Sequence, residues 1–194
     1  MKDANKQIKA YDIILQSHID KKDFINIKRT LHAEEDRISG FILSMSKDFL
    51  LIQVDNELSF NGYAIIRKDQ FDSLRCNKYD KTLRKIYKAE GLLKSGYGID
   101  KNISLKSWQS IFSDLKKSDY HVIIECQDRE EATFDIGPIK KALKGSVSIQ
   151  HYDATGQLEN KLTPIKYPDI TTVQFGDNYS MTYRKYLKPA KKSK

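Results

Sequence analysis

The residues that could do chemistry are few, and the first of them form a possible metal-binding pair. His121 and Glu125 are four residues apart, a spacing that would place two ligands on one face of a helix. The surrounding residues instead predict a strand, where this spacing separates the two side chains by about 13 Å along the chain. We therefore interpret both as ordinary strand residues.

An acidic cluster is the second candidate, because carboxylates can hold a hard cation. It consists of Asp128, Glu130, Glu131 and Asp135, and a similar acidic group lies 97 residues earlier, at residues 34–36. Two acidic groups at matching places favour solvated turns. Residues 94–96, Lys-Ser-Gly, lack the upstream glycine of a phosphate-binding loop, and no serine or cysteine has a neighbouring base in motif form. The sequence therefore predicts a protein that is not an enzyme and that has no cofactor or metal.

The two cysteines point the same way. Cys76 and Cys126 are far apart in the chain and do not occupy matching places in its two halves. A duplicated metal or disulfide site would be expected to repeat its ligands. We predict two isolated, reduced thiols.

Bases interleaved with tyrosines are the most suggestive chemical pattern. They occur near the end of each half of the chain, and the candidate nucleic-acid-binding residues are Arg75, Lys78, Lys81, Arg84, Lys85, Lys88, Tyr183, Arg184 and Lys185. Basic groups that meet phosphates and aromatic faces that stack on bases are what a single-stranded nucleic acid requires. The alternative is that the tyrosines seal one end of a barrel while the lysines are only solvated.

These residues must be positioned by a helix, five short strands and a closing helix, repeated twice. Apolar spacing predicts an opening helix over residues 5–22, and β-branched alternation predicts strands over residues 24–31, 37–46, 49–55, 62–67 and 71–75. A second helix over residues 104–115, capped by Ser104, precedes strands over residues 120–127, 133–143, 146–152, 161–167 and 169–175. Strands this close together must be antiparallel and hairpin-linked.

The repetition is visible in the residues themselves. Residues 40–53 and 137–150 share a glycine, an isoleucine two positions on, a lysine seven positions on and a final Ile-Gln, and they lie 97 residues apart. After a loop of different length, the match continues at an offset of 99, where Leu74 corresponds to Val173 and Tyr87 to Tyr186. We interpret the chain as a tandem duplication whose two copies pack as an intramolecular pseudo-dimer.

Charge and hydropathy limit the possible classes of protein. The chain has 194 residues and a net charge of +8, and no acid follows Asp177. Such a basic end makes weak, salt-sensitive contacts with polyanions but does not define a specific nucleic-acid site. No apolar run approaches the roughly 20 residues of a membrane span, and residues 8–15 are too interrupted by charge for a signal peptide. We expect a cytoplasmic protein that does not enter a membrane.

A helix followed by five short, bent antiparallel strands resembles the Sm-like barrel, and the residues at 137–175 also resemble a recurring bacterial protein type. The resemblance implies an α+β, mainly β fold of two tandem helix-plus-five-stranded Sm-like barrels. Its domains would be an N-terminal repeat over residues 1–90, a linker over 91–103, a C-terminal repeat over 104–188 and a basic tail over 189–194. Neither residues 74–77 nor 173–176 supply the glycine motif of RNA-binding Sm proteins.

The sequence thus favours a non-enzymatic binding or adaptor protein. Its first candidate partner is another protein, because paired small barrels without catalytic groups are typical of interaction modules. Its second is RNA or single-stranded nucleic acid, bound through the basic and tyrosine-rich helices. The contact surface would be the interface between the two repeats or the basic face. A third alternative is an enzyme that acts on a small ligand in a pocket between the two barrels.

Overall fold

The computed structural model describes residues 2–190, with side chains from residue 11 onward. Residues 191–194, which fall in the predicted basic tail, lie outside the described part. The helices are α1 (Lys2–Lys21), α2 (Lys78–Ala89), α3 (Leu92–Ser95), α4 (Trp108–Lys117) and α5 (Asn178–Tyr183). The strands are β1 (Phe24–Leu31), β2 (Glu34–Met45), β3 (Phe49–Asn56), β4 (Ser59–Arg67), β5 (Ser73–Arg75), β6 (His121–Cys126), β7 (Thr133–Ala142), β8 (Ser146–Ile149), β9 (Thr163–Lys166) and β10 (Thr172–Phe175).

All ten strands belong to one open antiparallel sheet, in the order β5-β1-β2-β3-β4-β10-β6-β7-β8-β9. The prediction of an α+β, mainly β fold is therefore confirmed. We call residues 1–90 the first half and residues 104–188 the second half. Their strands join edge to edge in this one sheet, and the finer prediction of two separate barrels remains a prediction. The joint is the pairing of β4 with β10, which aligns Ile65 with Val173.

The two halves use the same strand order and the same pairing register. Ile25 pairs with Gly40 in the first half and Val122 pairs with Gly137 in the second, so both partners move by 97 positions. The register shift between Ile42 and Ser44 recurs at the same offset in β7. A bulge is a local device that bends a strand, and its repetition gives both halves the same bend.

The matching glycines explain how closely the strands approach at this bend. A Cβ on Gly40 would lie 2.0 Å from the backbone oxygen of Gln53, and one on Gly137 would lie 2.1 Å from that of Gln150. Real Cβ atoms do not come so near a carbonyl oxygen, so only glycine fits at either place. The shared Gly-to-Gln spacing in the sequence is thus a requirement of the strand packing.

Some predicted element boundaries are wrong. The second-half helix begins at Trp108 rather than Ser104, and its N-cap is Ser107, whose Oγ accepts a bond from the Ser110 backbone N–H. Ser104 uses its backbone instead, donating to Asp114. Several strands are also shorter than predicted: β8 ends at Ile149 rather than residue 152, and a 3₁₀ turn at residues 167–169 separates the end of β9 at Lys166 from the start of β10 at Thr172.

The largest core cluster spans both halves. Phe49, Leu51 and Ile65 of the first half pack with residues of α4, β6 and β10. A smaller cluster under α1 contains Leu15, Ile25 and Ile27, and it belongs to the first half alone. No helix in the described residues is both long enough and apolar enough to cross a membrane.

Candidate functional site

Four of the predicted nucleic-acid-binding lysines form a continuous surface, here called the α2 stripe. Lys78, Lys81, Lys85 and Lys88 are all exposed, and their spacing of three, four and three residues places them along one face of α2. Within the described residues, none of the four lies in a salt bridge with an acidic side chain. The stripe is therefore a free row of positive charge.

The other two bases near α2 hold the structure together. Arg75 donates to both carboxylate oxygens of Asp80, at 3.0 and 2.9 Å, and Asp80 is fully buried in the capping box of α2. Arg84 donates to the backbone oxygens of Lys21 and Lys22, which end α1. Their guanidinium groups are committed to intramolecular contacts, which residue spacing alone could not reveal.

The second-half residues of the predicted site do not form a comparable surface. The Tyr183 ring stacks on Tyr179 with centroids 4.3 Å apart, and its hydroxyl donates to the Ala154 backbone oxygen. Arg184 donates to the backbone and side chain of Asp119. Of this group only Lys185 is exposed. At this end of the molecule the ring and the hydroxyl of Tyr183 are both held by intramolecular contacts.

A larger feature lies between the halves, where aromatic side chains line a cleft of about 1120 Å³. We call it the aromatic cleft. Its aromatic walls are Tyr11, Phe49, Phe71, Trp108 and Tyr167. Phe49 meets Trp108 edge to face with ring centroids 4.7 Å apart, and Tyr11 meets Phe71 at 5.6 Å. The cleft exceeds the roughly 300–1,000 Å³ of ordinary small-molecule pockets.

Local structure explains how Trp108 reaches the cleft. Ser107 caps α4, so Trp108 occupies the first helical position and its ring packs across the junction onto Phe49 of β3. Phe112, one turn later, stacks almost parallel on Tyr167. The helix start therefore fixes the wall that the second half contributes.

The rim of the cleft carries charges of both signs. Its bases are Lys47, Arg67, Lys68, Lys106 and Lys144, and its acids are Asp12, Asp48, Asp69 and Asp72. Some of these charges pair with each other: Arg67 donates to Asp69 and Lys68 to Asp12. The rim is thus nearly neutral, in contrast to the α2 stripe.

Sequence analysis found parts of this cleft without recognising it. It matched Tyr11 to Trp108 as apolar positions of two equivalent helices, and the repeat offset also relates Lys47 to Lys144. The cleft forms because the β4–β10 joint sets the helix starts and hairpin turns of the two halves side by side. That contact is long-range, so no local pattern indicated it.

A smaller cleft of about 400 Å³ surrounds a buried arginine at the same junction. Arg29 of β1 is 1% exposed, and it donates to Asp36, to the Thr171 backbone oxygen and to the Thr172 hydroxyl. Burial, with the charge of Asp36, raises the pKa of the nearby Glu125 carboxyl. Because the Arg29 donors are satisfied inside the protein, we interpret this cleft as a tie between β1 and β10.

The residues considered as metal ligands are placed as the strand interpretation predicts. His121 and Glu125 are at opposite ends of β6, and His121 faces Tyr152 while Glu125 lies in the Arg29 cleft. Burial and the charge of Arg184 lower the pKa of His121 to about 4. His121 is therefore a neutral core residue at neutral pH.

The chain was compared with family models, curated proteins and solved structures, and none of them matches it.

Proposed function

We propose that this protein is a non-enzymatic adaptor that holds an apolar segment of a partner protein in the aromatic cleft. The observation that carries the proposal is the set of aromatic walls, which both halves supply: Tyr11 and Phe71 lie nearer the solvent, and the buried Phe49, Trp108 and Tyr167 lie deeper. Aromatic side chains, tryptophan and tyrosine above all, contribute most of the binding energy at protein interfaces. Tyr11 is more than a third exposed, so part of this surface is uncovered.

The charges of the rim favour a peptide over a polyanion in this cleft. A nucleic-acid strand passing through it would meet the carboxylates of Asp48 and Asp72 as well as the bases. A polypeptide with aromatic or aliphatic side chains gains from burial against the walls, at about 25 cal/mol per Å² of apolar surface, and its backbone can bond to polar groups of either sign.

The test uses Trp108, the only tryptophan of the chain, as an internal reporter. Peptides selected from a random display library for binding to the protein should be rich in aromatic and aliphatic residues. Their titration should change the fluorescence of Trp108. The Tyr11→Ala/Phe71→Ala variant should bind them about tenfold more weakly or worse, as expected for the loss of aromatic anchors.

The matched control replaces exposed tyrosines away from the cleft. Tyr179 and Tyr186 are 45% and 70% exposed, and neither lines the cleft. The Tyr179→Ala/Tyr186→Ala variant should bind the selected peptides as the wild type does. Peptides that leave Trp108 fluorescence unchanged, or that bind both variants equally, would contradict the proposal.

A second function, binding of RNA or single-stranded DNA, is favoured by the α2 stripe alone. Four lysines on one helix face, which form no salt bridge with any described acidic side chain, lie next to the 63% exposed Tyr79. The lysines could follow a phosphate backbone while Tyr79 stacks one base. A mobility-shift assay at two salt concentrations tests it with the Lys78→Ala/Lys81→Ala/Lys85→Ala/Lys88→Ala variant. Nucleic-acid binding that does not change with the salt concentration or with these substitutions would eliminate this candidate.

We also propose that the chain consists of two tandem Sm-like units with the domain limits predicted from the sequence. We propose a cytoplasmic location for it. The repeated strand order, register and bulge support the duplication. An experimental structure whose halves do not superimpose would contradict it, and cell fractionation tests the location.

A further inference from the structure

A cluster of three potential metal ligands lies at the corner where α1, β1 and α2 meet. A ring nitrogen of His18, a carboxylate oxygen of Asp23 and Sγ of Cys76 all lie within 4.8 Å of one another. His18 is in the last turn of α1, Asp23 directly precedes β1 and Cys76 lies between β5 and α2, so two segments distant in the chain converge. Each side chain is partly buried, with His18 and Asp23 18% and 19% exposed.

From this geometry we infer that His18, Asp23 and Cys76 bind a Zn²⁺ ion, with a water molecule as the fourth ligand. Imidazole, carboxylate and thiolate are the three ligand types that proteins offer to zinc, and three protein ligands plus water is a common zinc arrangement. The set includes a soft thiolate, which disfavours Mg²⁺ and Ca²⁺.

The second half provides an internal comparison for this corner. At the repeat offsets, His18 corresponds to Leu115, Asp23 to Tyr120 and Cys76 to Phe175. The backbone follows the same path in both places: the Asp23 N–H donates to the His18 oxygen, and the Tyr120 N–H to the Leu115 oxygen, each at 3.0 Å.

The side chains at the second corner form an apolar contact. Tyr120 and Phe175 meet edge to face with ring centroids 5.0 Å apart, and Leu115 and Phe175 are fully buried. The fold therefore closes this corner with apolar side chains in one half. Because the same backbone accepts an apolar filling, the three polar groups of the first half are not required by the fold, and a bound ion accounts for them.

Neighbouring charges leave the ligand atoms available. Arg84 lies 3.6 Å from Oδ1 of Asp23, whereas His18 contacts Oδ2 at 3.0 Å. The guanidinium also donates to the backbone oxygens of Lys21 and Lys22. An ion bound through Oδ2 would replace the contact between His18 and Asp23 and keep the one with Arg84.

Co²⁺ provides the most direct test, because it substitutes for zinc and absorbs visible light in a tetrahedral site. Titration of the tag-free, metal-free full chain should produce tetrahedral Co²⁺ bands and a thiolate-to-cobalt charge-transfer band, and added Zn²⁺ should abolish both. In Cys76→Ser the charge-transfer band should disappear. His18→Gln should lower the Co²⁺ affinity by about 10–100-fold or more. Losing a residue that only hydrogen-bonds to a metal ligand has an effect of that size, and His18 is itself a ligand in this proposal.

Cys126 supplies the matched control, because it is the only other cysteine and lies fully buried in another core cluster. Cys126→Ser should keep the charge-transfer band. Zn²⁺ should also raise the melting temperature of wild type and Cys126→Ser but not of Cys76→Ser. A wild type without the band, or a band that survives in Cys76→Ser, would overturn the inference. If Cys76→Ser does not fold, His18→Gln provides the test. A Co²⁺ affinity in His18→Gln equal to that of the wild type would also overturn the inference.

Discussion

The two halves of the molecule share a backbone plan but differ in the chemistry placed on it. Strand order, pairing register, the bulge and the tight glycine recur in both. The corner below α1 holds His18, Asp23 and Cys76 in the first half but Leu115, Tyr120 and Phe175 in the second. The comparison separates residues that build the fold, which recur, from residues free to acquire a function, which do not.

The closing helices differ in the same way. α2 has 12 residues and an exposed row of lysines, whereas α5 has six residues and an arginine committed to Asp119. A helix of six residues has fewer than two turns, too few for a row of four lysines, so the basic feature of the first half has no counterpart. We expect charge-dependent binding to require only the first half, and peptide binding in the aromatic cleft to require both halves.

The largest expected effect tests whether the tight glycines are equivalent. Gly40→Ala and Gly137→Ala should each lower the free energy of unfolding by about 4 kcal/mol or more, since a Cβ would strike a carbonyl oxygen in the neighbouring strand. Urea denaturation measures both. Gly145→Ala is the control, because its Cβ would meet nothing within 4 Å. A small loss of unfolding free energy in only one of the two variants would show that the two glycines are not structurally equivalent.

The second prediction concerns a pair that matches in sequence and differs in the structure. Tyr87 is fully buried and its hydroxyl donates to Asp55, whereas Tyr186 is 70% exposed. Tyr87→Ala should cost about 3 kcal/mol of stability through the cavity that it leaves. Tyr186→Ala should change stability by less than about 0.5 kcal/mol. Equal losses would mean that the two closing segments pack alike.

The third prediction converts one residue of the second half into its first-half counterpart. His121 corresponds to Phe24, and both are buried. The folded-state pKa of His121 is about 4, below the value of about 6.5 for an unfolded chain, so the unfolded state binds more protons between these pH values. The stability that His121 contributes is complete above pH 6.5 and decreases as the pH falls toward 4.

His121→Phe should remove this part of the pH dependence. Between pH 7 and pH 4 the variant should lose about 3 kcal/mol less stability than the wild type, measured by urea denaturation at each pH. Parallel pH profiles for the two proteins would show that His121 has the same pKa in the folded and unfolded states, and would contradict the prediction. His151→Gln, at a partly exposed histidine, is the control.

The smallest effect compares the caps of the two closing helices. Asn77 accepts from the Tyr79 N–H at the start of α2, and Asp177 accepts from the Ser180 N–H at the start of α5. Asn77→Ala and Asp177→Ala should each cost about 1 kcal/mol in thermal or urea unfolding. A loss at Asp177 well above that would show that its second bond, from the Ser180 hydroxyl, adds to the cap.

Much of the fold could be predicted from local residue patterns. The strand at Phe24–Leu31 was predicted with its observed limits, because β-branched alternation is a local property of a half-buried strand. The start of α4 was predicted incorrectly, since Ser104 and Ser107 are both good caps by residue type and only packing of Trp108 onto Phe49 selects between them. Local propensity leaves such choices open, and tertiary contacts make them.

The candidate sites were less predictable than the fold. The lysines of the α2 stripe could be found from helical spacing, but the roles of Arg75 and Arg84 in holding Asp80 and the end of α1 could not. The three proposed zinc ligands were also missed, because His18 and Cys76 are 58 residues apart and no short motif joins them.

The sequence by itself determined the repeated helix-and-strand order, because alternation and turn residues act within a few residues. Only the tertiary structure decided that the ten strands form one sheet, that Trp108 and Phe49 face each other across the junction, and that His18, Asp23 and Cys76 meet. Those outcomes depend on the pairing of β4 with β10 and of β1 with β5, contacts between residues distant in the chain that no local pattern encodes.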